Sequence, residues 1–166
     1  VRQIGRGFGG SILVVGERGI GKDAFIRGLG EKLDGEYLMV NCVSGRAADV
    51  RAQLGNLLGL EGGLDDPQVI ATALVDKNIR MIGVCNLHLL VRPLVGGFGE
   101  LQQIISLFDH FPDNIARICS VDRYAWQYIK CALADQVAGI QVVALPTWTD
   151  EQIDELITER CDVVGL

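Results

Sequence analysis

Apolar and polar residues fall into blocks along this chain, and the blocks predict strands and helices in regular alternation. Five short apolar runs are rich in Val, Ile and Leu, which is typical of parallel strands buried on both faces. These runs cover residues 12–15, 37–42, 79–85, 115–121 and 140–145. Each run is followed by a segment whose apolar positions have a different, helical spacing.

In those segments apolar residues recur every three or four positions, as in a helix with one buried face. In residues 22–33 this face consists of Phe25, Ile26, Leu29 and Leu33. Further helices are predicted over residues 46–58, 67–77, 98–109 and 123–135, and a last one begins after Thr149, with Gln152 in the capping-box position. Because crossovers between parallel strands are right-handed, this alternation predicts an α/β fold: a parallel sheet with helices on both faces.

A glycine-rich loop joins the first strand to the first helix. It fits the phosphate-binding pattern G-x-x-x-x-G-K-[ST] at every defined position except the last. Its residues are Gly16, Glu17, Arg18, Gly19, Ile20, Gly21, Lys22 and Asp23. Glycines let consecutive backbone N–H groups turn toward one centre, and the start of the helix adds partial positive charge. The pattern therefore predicts a P-loop that binds ATP or ADP through these residues, with Lys22 at the β- and γ-phosphates.

Asp23 stands where the pattern has a Ser or Thr whose hydroxyl holds Mg²⁺. A carboxylate next to the phosphates repels them by roughly a few kcal/mol at an effective dielectric constant near 20, unless a metal ion lies between. Aspartate can itself bind Mg²⁺, and it also suits the first turn of a helix that has no ligand. The sequence thus predicts a nucleotide site in which Mg²⁺ is doubtful, and it assigns no metal-ligating residue.

Composition narrows the class of protein further. The chain has 166 residues and a net charge of −6, so residues 1–166 fit one domain with no general footprint for direct nucleic-acid contact. No apolar run is long enough for a membrane span. The 5 cysteines form no C-x-x-C pair, which favours reduced thiols and a cytoplasmic location. Cys42, Cys85 and Cys119 each end or nearly end a predicted strand; buried inert thiols are favoured there over a metal or redox site.

Residues 81–90, which read MIGVCNLHLL, resemble the Walker B segment of AAA+ ATPases and of the signalling NTPases that share their core. The resemblance implies a three-layer P-loop NTPase fold with strand order 5-1-4-3-2. It also implies that Ser120 or Asp122, after the fourth strand, acts as a polar sensor of the γ-phosphate. Residues 145–153 resemble the junction into the helical lid of this family. Because the chain also begins without Met, we expect it to be a fragment that lacks the lid.

The resemblance aligns the two acidic Walker B positions with Cys85 and Asn86. A neutral thiol is a poor Mg²⁺ ligand, and an amide can orient a water molecule but cannot accept its proton. The candidate catalytic residues are therefore Asn86, as the group that orients water, and Asp122, as a carboxylate supplied by the next strand. Together with Asp23, these substitutions suggest a relaxed requirement for hydrolysis.

The predicted function is that of an AAA+-like nucleotide-binding domain with impaired hydrolysis, a switch or assembly module of a larger protein. Its expected partners are other domains of the same chain or neighbouring subunits. Two alternatives stay open: an active ATPase with displaced metal ligands, and a structural domain without nucleotide. Arg123 is either an arginine finger or, as we favour, a surface residue paired with Asp122 or Glu151.

Overall fold

The computed structural model describes residues 11–164, apart from residues 34, 63, 64, 93, 138 and 139. In this part of the chain one parallel sheet has the strand order β2-β3-β4-β1-β5. The strands are β1 (Ser11–Gly16), β2 (Glu36–Asn41), β3 (Ile79–Cys85), β4 (Ala116–Asp122) and β5 (Gln141–Ala144). The predicted order 5-1-4-3-2 is confirmed, and β4 lies between the P-loop strand and the strand that ends at Cys85.

The helices follow the predicted segments closely. They are α1 (Lys22–Gly30), α2 (Ala47–Leu58), α3 (Pro67–Asp76), α4 (Gly99–Phe108), α5 (Arg123–Ala132), α6 (Ala134–Val137) and α7 (Asp150–Val164), with a 3-10 turn at Leu87–Leu90. The helix predicted over residues 123–135 is interrupted, because Leu133 leaves helical geometry with φ −124° and ψ 34°. Helix α7 begins as predicted: the backbone N–H of Thr149 donates to Gln152 Oε1 and that of Gln152 to Thr149 Oγ1.

Helices cover both faces of the sheet, as predicted, and make a three-layer α/β fold. Helix α1 packs on one face, where Ile26 joins Val14, Met81 and Ile118 in a small core. Helices α2 to α5 contribute to a larger core on the opposite face. Phe25 was expected on the buried side of α1 but is 37% exposed. Successive residues of a helix point about 100° apart, and it is the neighbouring Ile26 that points into the core.

The sequence also leads to expectations about three cysteines and about membrane spans. Cys42, Cys85 and Cys119 are buried, as the sequence predicts. Burial raises the pKa of the Cys42 thiol to about 12, which keeps it protonated and unreactive. In the described residues, no helix combines the length and the apolar character that crossing a bilayer requires.

Candidate phosphate-binding site

Three strands end side by side at the edge of the sheet that carries the P-loop. Gly16 lies opposite Asp122 in the β1–β4 register, and Cys85 is the last residue of β3, one place along the sheet. A cleft of about 490 Å³ opens at this edge. The P-loop, both candidate catalytic residues and the 3-10 turn line it, through Arg18, Gly19, Gly21, Lys22, Asp23, Ala24, Asn86, His88, Leu89 and Asp122. The structure therefore brings Asn86 and Asp122 to the P-loop, as predicted.

The P-loop backbone has the conformation that an anion site requires. Gly19 and Gly21 have φ values of 83° and 92°, in the left-handed region that residues with a Cβ rarely adopt. Gly21 is also the N-cap of α1 and supplies no capping side chain. The first N–H groups of α1 are therefore available to a bound anion, at the positive end of the helix dipole.

The side chain of Lys22 lies within this loop and is only 7% exposed. Its ammonium group donates to the carbonyl oxygens of Gly16 at 2.9 Å and Glu17 at 2.6 Å. An ammonium has three N–H donors, so one remains for a phosphate oxygen. Lys22 thus fixes the loop and also places a buried positive charge in the cleft.

The carboxylate of Asp23 lies at the centre of a network of neutral donors. Asp23 Oδ1 accepts from the hydroxyl of Ser120 at 2.8 Å, and Oδ2 accepts from Nδ2 of Asn86 at 3.5 Å. The same Ser120 oxygen accepts from the backbone N–H of Asn86 at 2.8 Å. Asn86 Nδ2 also donates to Asn41 Oδ1 at 3.1 Å. The network joins helix α1 to the ends of β2, β3 and β4.

These residues do not fit the usual Mg²⁺ coordination of a P-loop ATPase. The family resemblance implies a hydroxyl at position 23 and carboxylates at the end of β3. Instead, position 23 carries the carboxylate, which accepts from neutral donors on β4 and after β3. Burial first, and then the charge of Asp23, raise the pKa of the Cys85 thiol to about 12. The thiol therefore stays protonated near neutral pH and offers no hard ligand to the ion.

Asp122 and Arg123 have roles that the sequence only partly predicts. The Asp122 carboxylate caps α5, because Oδ1 accepts from the backbone N–H of Tyr124 at 2.9 Å. Arg123 forms an ion pair with Glu17 at 3.6 Å, so the expected partners Asp122 and Glu151 were wrong. The cause is the register of β1 and β4, which sets the start of α5 beside the P-loop. Both side chains are about half exposed, and the pair contributes little to stability.

Two residues of the site were given no functional role from the sequence. His88 lines the cleft, its Nδ1 is buried without a partner among the described residues, and burial lowers its pKa. Asn41 reaches Asn86, and Gln53 holds it there through hydrogen bonds with the backbone N–H and C=O of Asn41. A polar residue at the end of a buried strand is a signal that could have identified Asn41. His88 has no such signal, because a 3-10 turn brings it to the cleft.

A second depression lies on the other side of the P-loop. It has a volume of about 360 Å³ and is lined by residues of the P-loop and α1 and by the segment after β5, including Ile20, Phe25, Leu145, Pro146 and Trp148. The indole N–H of Trp148 donates to the backbone oxygen of Ile20 at 3.1 Å. An apolar surface with an aromatic wall therefore adjoins the predicted phosphate site.

Solved structures of known proteins share this fold. The chain is similar to the Aeropyrum pernix ORC1 protein in complex with DNA, with a TM-score of 0.71 and 14% identity over 92% of this chain and 44% of that one. It is similar to the Aeropyrum pernix ORC2 protein in its ADPNP–ADP complexes, with a TM-score of 0.70 and 15% identity over 93% and 46%. For AMPPCP-bound DnaA from Aquifex aeolicus the TM-score is 0.55 and the identity 15%, over 99% and 50%.

The three-layer fold is therefore that of AAA+ P-loop ATPases, as the sequence resemblance implies. At these identities the likeness establishes the fold alone. The chain spans about half the length of these proteins or less. No protein-family profile matches the sequence, and no curated protein matches it.

Proposed function

We propose that this chain is a nucleotide-binding module that holds a nucleoside di- or triphosphate on its P-loop without depending on Mg²⁺ and hydrolyses it slowly. The observation that carries the proposal is the environment of Asp23. Its carboxylate takes the place of the metal-binding hydroxyl of the P-loop pattern, and it is satisfied by Ser120 and Asn86. A site arranged in this way has hydrogen-bonding partners for its acid without a metal ion.

Retained phosphate binding is supported by the loop itself. Gly19 and Gly21 keep their left-handed conformations, the start of α1 is uncapped, and Lys22 is buried beside them. The ORC2 and DnaA structures contain ADPNP, ADP or AMPPCP, and they share the fold of this chain. The depression next to Trp148 would take the nucleotide base, because an aromatic wall beside the phosphate site suits a planar ring.

Slow hydrolysis follows from the residues at the end of β3. Asn86 has no basic group, and its amide is engaged with Asp23 and Asn41. Cys85 is a protonated thiol rather than a carboxylate. No residue at these two positions can accept the proton of an attacking water molecule, so we expect phosphoryl transfer to water to be impaired.

One observation favours a second candidate, an active ATPase with displaced groups. Asp122 and His88 both line the cleft, and His88 is neutral near pH 7 because burial lowers its pKa. A carboxylate or a neutral imidazole is able to accept a proton. The first proposal is preferred because the Asp122 carboxylate is already engaged as the N-terminal cap of α5.

A switch or assembly role in a longer protein fits a module that binds nucleotide and turns it over slowly. Helix α7 presents Ile153, Leu156 and Ile157 on its surface, each between 38% and 55% exposed. Apolar side chains at this spacing form a stripe that another domain of the same chain or a neighbouring subunit would cover.

Isothermal titration calorimetry tests the proposal directly. ATP and ADP are titrated into the protein in Mg²⁺ buffer and again in EDTA, and phosphate release is followed in parallel. We expect saturable binding in both buffers, with dissociation constants that differ by less than about threefold, an energy difference under 1 kcal/mol. Binding that requires Mg²⁺ and turns over at about 1 per second or faster indicates the displaced-ligand ATPase. No binding in either buffer indicates a structural domain.

A further inference from the structure

A separate cavity of about 260 Å³ lies between the sheet and helices α4 and α5. Its walls are mainly apolar and include Leu101, Ile104 and Phe108 of α4 and Trp126 and Ile129 of α5. None of the residues that line it lines the phosphate-binding cleft. It is therefore a distinct feature of the larger core.

Among the residues that the structure describes, one cationic side chain lines the cavity, that of Arg117 on β4. Side chains alternate between the faces of a strand, so Ala116 and Ile118 pack toward α1 while Arg117 and Cys119 point toward the cavity. The Arg117 guanidinium donates from Nη1 to the backbone oxygen of Phe108. Its Nε is buried without a hydrogen-bond partner among the residues that the structure describes.

Arg117 also has no carboxylate within ion-pair distance in the described part of the chain. Asp109 borders the cavity, but its side chain is exposed to solvent. Arg117 as a whole is half-buried, but its buried Nε has no acceptor among the described residues, and a guanidinium offers its N–H groups as a fork that matches a carboxylate. The cavity therefore has mainly apolar walls and one group that can bind an anion, the guanidinium of Arg117.

We propose that this cavity binds a small apolar molecule with a single carboxylate, which pairs with Arg117 while the hydrocarbon part packs against α4 and α5. A dry apolar cavity of about 150 Å³ holds benzene, and drug-sized ligands occupy about 300 Å³ or more. The volume of this cavity lies between the two. It suits a carboxylate with about six to ten carbon atoms, such as a medium-chain fatty acid or a phenylalkanoate.

Trp126 allows binding to be measured at the cavity itself. The chain has 2 tryptophans, and Trp148 lies at the P-loop, so the Trp148→Phe variant leaves Trp126 as the only indole. Octanoate and 4-phenylbutyrate are titrated against its fluorescence, with 1-octanol and methyl octanoate as uncharged probes of similar size. We expect a saturable change with both carboxylates and at least tenfold weaker binding of the uncharged probes.

Two further variants, in the same Trp148→Phe background, test which groups form the site. Arg117→Met keeps the unbranched apolar stem of the side chain and removes its charged end. We expect a loss of tenfold or more in carboxylate affinity and little change in the affinity for octanol. Arg80→Met, on an exposed position of the neighbouring strand, is the matched control and should bind as before. Ile105→Phe fills part of the cavity and should weaken the binding of both the carboxylates and the uncharged probes.

The proposal is overturned if millimolar carboxylate gives no saturable change, or if acid and alcohol bind equally well. Carboxylate affinity unchanged in a folded Arg117→Met variant, as judged by circular dichroism, also overturns it. If Arg117→Met does not fold, two measurements still test the proposal: the comparison of acid with alcohol in the unaltered cavity, and the effect of Ile105→Phe on binding. Binding of both acid and alcohol with equal affinity would identify a purely apolar cavity, and not a carboxylate site.

Discussion

The hydroxyl of Ser120 donates a hydrogen bond of 2.8 Å to the carboxylate of Asp23, and this bond ties the end of strand β4 to the first turn of helix α1. The two residues are 97 positions apart in the sequence. The P-loop pattern has a hydroxyl on the helix, and the family that the sequence resembles has acidic side chains at the end of the strand equivalent to β3. Here the acid is on the helix and the neutral donors are on the strands. This exchange keeps the polar groups satisfied without a metal ion.

Replacing Ser120 with Ala removes the shorter of the two hydrogen bonds to Asp23 and leaves a carboxylate oxygen without its donor. Ser120 is completely buried, so we expect the free energy of unfolding to fall by about 1–3 kcal/mol. Urea denaturation measures the loss. Ser106→Ala, on the exposed side of α4, is the control and should change stability by less than about 0.5 kcal/mol. A similarly small effect for Ser120→Ala would mean that the bond contributes nothing.

Asp23→Thr should tighten the binding of Mg–ATP by about tenfold or more. The change restores a metal-binding hydroxyl and removes a negative charge beside the phosphates, and about 1.4 kcal/mol of relieved repulsion is enough for that factor. Calorimetry in Mg²⁺ and in EDTA measures it, and the gain should be larger with Mg²⁺. Asp150→Thr makes the same change in the first turn of α7 and should leave the affinity unaltered. Weaker Mg–ATP binding by Asp23→Thr would show that the carboxylate itself supports the ligand.

Lys22→Ala should abolish nucleotide binding, because the phosphates lose the buried positive charge of the P-loop. Binding is measured by calorimetry after circular dichroism has shown that the variant is folded, since Lys22 also holds two loop carbonyls. Lys130→Ala removes an exposed lysine from α5 and is the control of equal charge. Equal affinity of the two variants would place the nucleotide elsewhere on the protein.

ATP turnover above the slow background rate of the unaltered chain should require three changes together, Asp23→Thr, Cys85→Asp and Asn86→Glu. They restore the hydroxyl and the carboxylate that bind the metal ion and a base that activates water. Such groups act as a unit, so their effects on the rate are not additive. We expect no phosphate release above background from any single variant and a slow rate from the triple variant. Turnover by the unaltered chain at about 1 per second or faster would contradict this and direct attention to Asp122.

Protein stability should decrease in mild acid because of His88. Burial lowers its pKa below the ordinary value of 6.5, against the opposing charges of Asp122 and Asp23, so the unfolded chain binds a proton more readily than the folded one. The contribution of His88 is therefore complete above pH 6.5 and is lost as the pH falls through its folded-state pKa.

The measurement for His88 is the free energy of unfolding at about pH 7.5 and about pH 5.5, on either side of the ordinary histidine pKa. The difference between the two values should be smaller in His88→Gln than in the unaltered chain. The other histidine of the chain, His110, is exposed, and His110→Gln should leave the difference unchanged. An equal pH dependence in all three proteins would show that His88 titrates normally.

Much of the fold could be predicted because its signals are local. Apolar runs and helical spacing marked the strands and the long helices within a few residues, and the glycine pattern marked the P-loop. The strand order was predicted from a family resemblance and is confirmed. The exposure of Phe25 and the break at Leu133 were not predicted, because each depends on how a helix lies against the sheet rather than on its own pattern.

The sequence by itself determined the strand–helix alternation, the glycine-rich loop and the unusual residue types at positions 23, 85 and 86, since each is a property of consecutive residues. Only the tertiary structure decided that Asp23 is satisfied by Ser120 and Asn86, that Arg123 pairs with Glu17, and that His88 lines the cleft. These contacts depend on which strand ends are neighbours and in what register. The order and register of the strands are decided by the burial of the whole sheet between its helices, and no local stretch of sequence determines them.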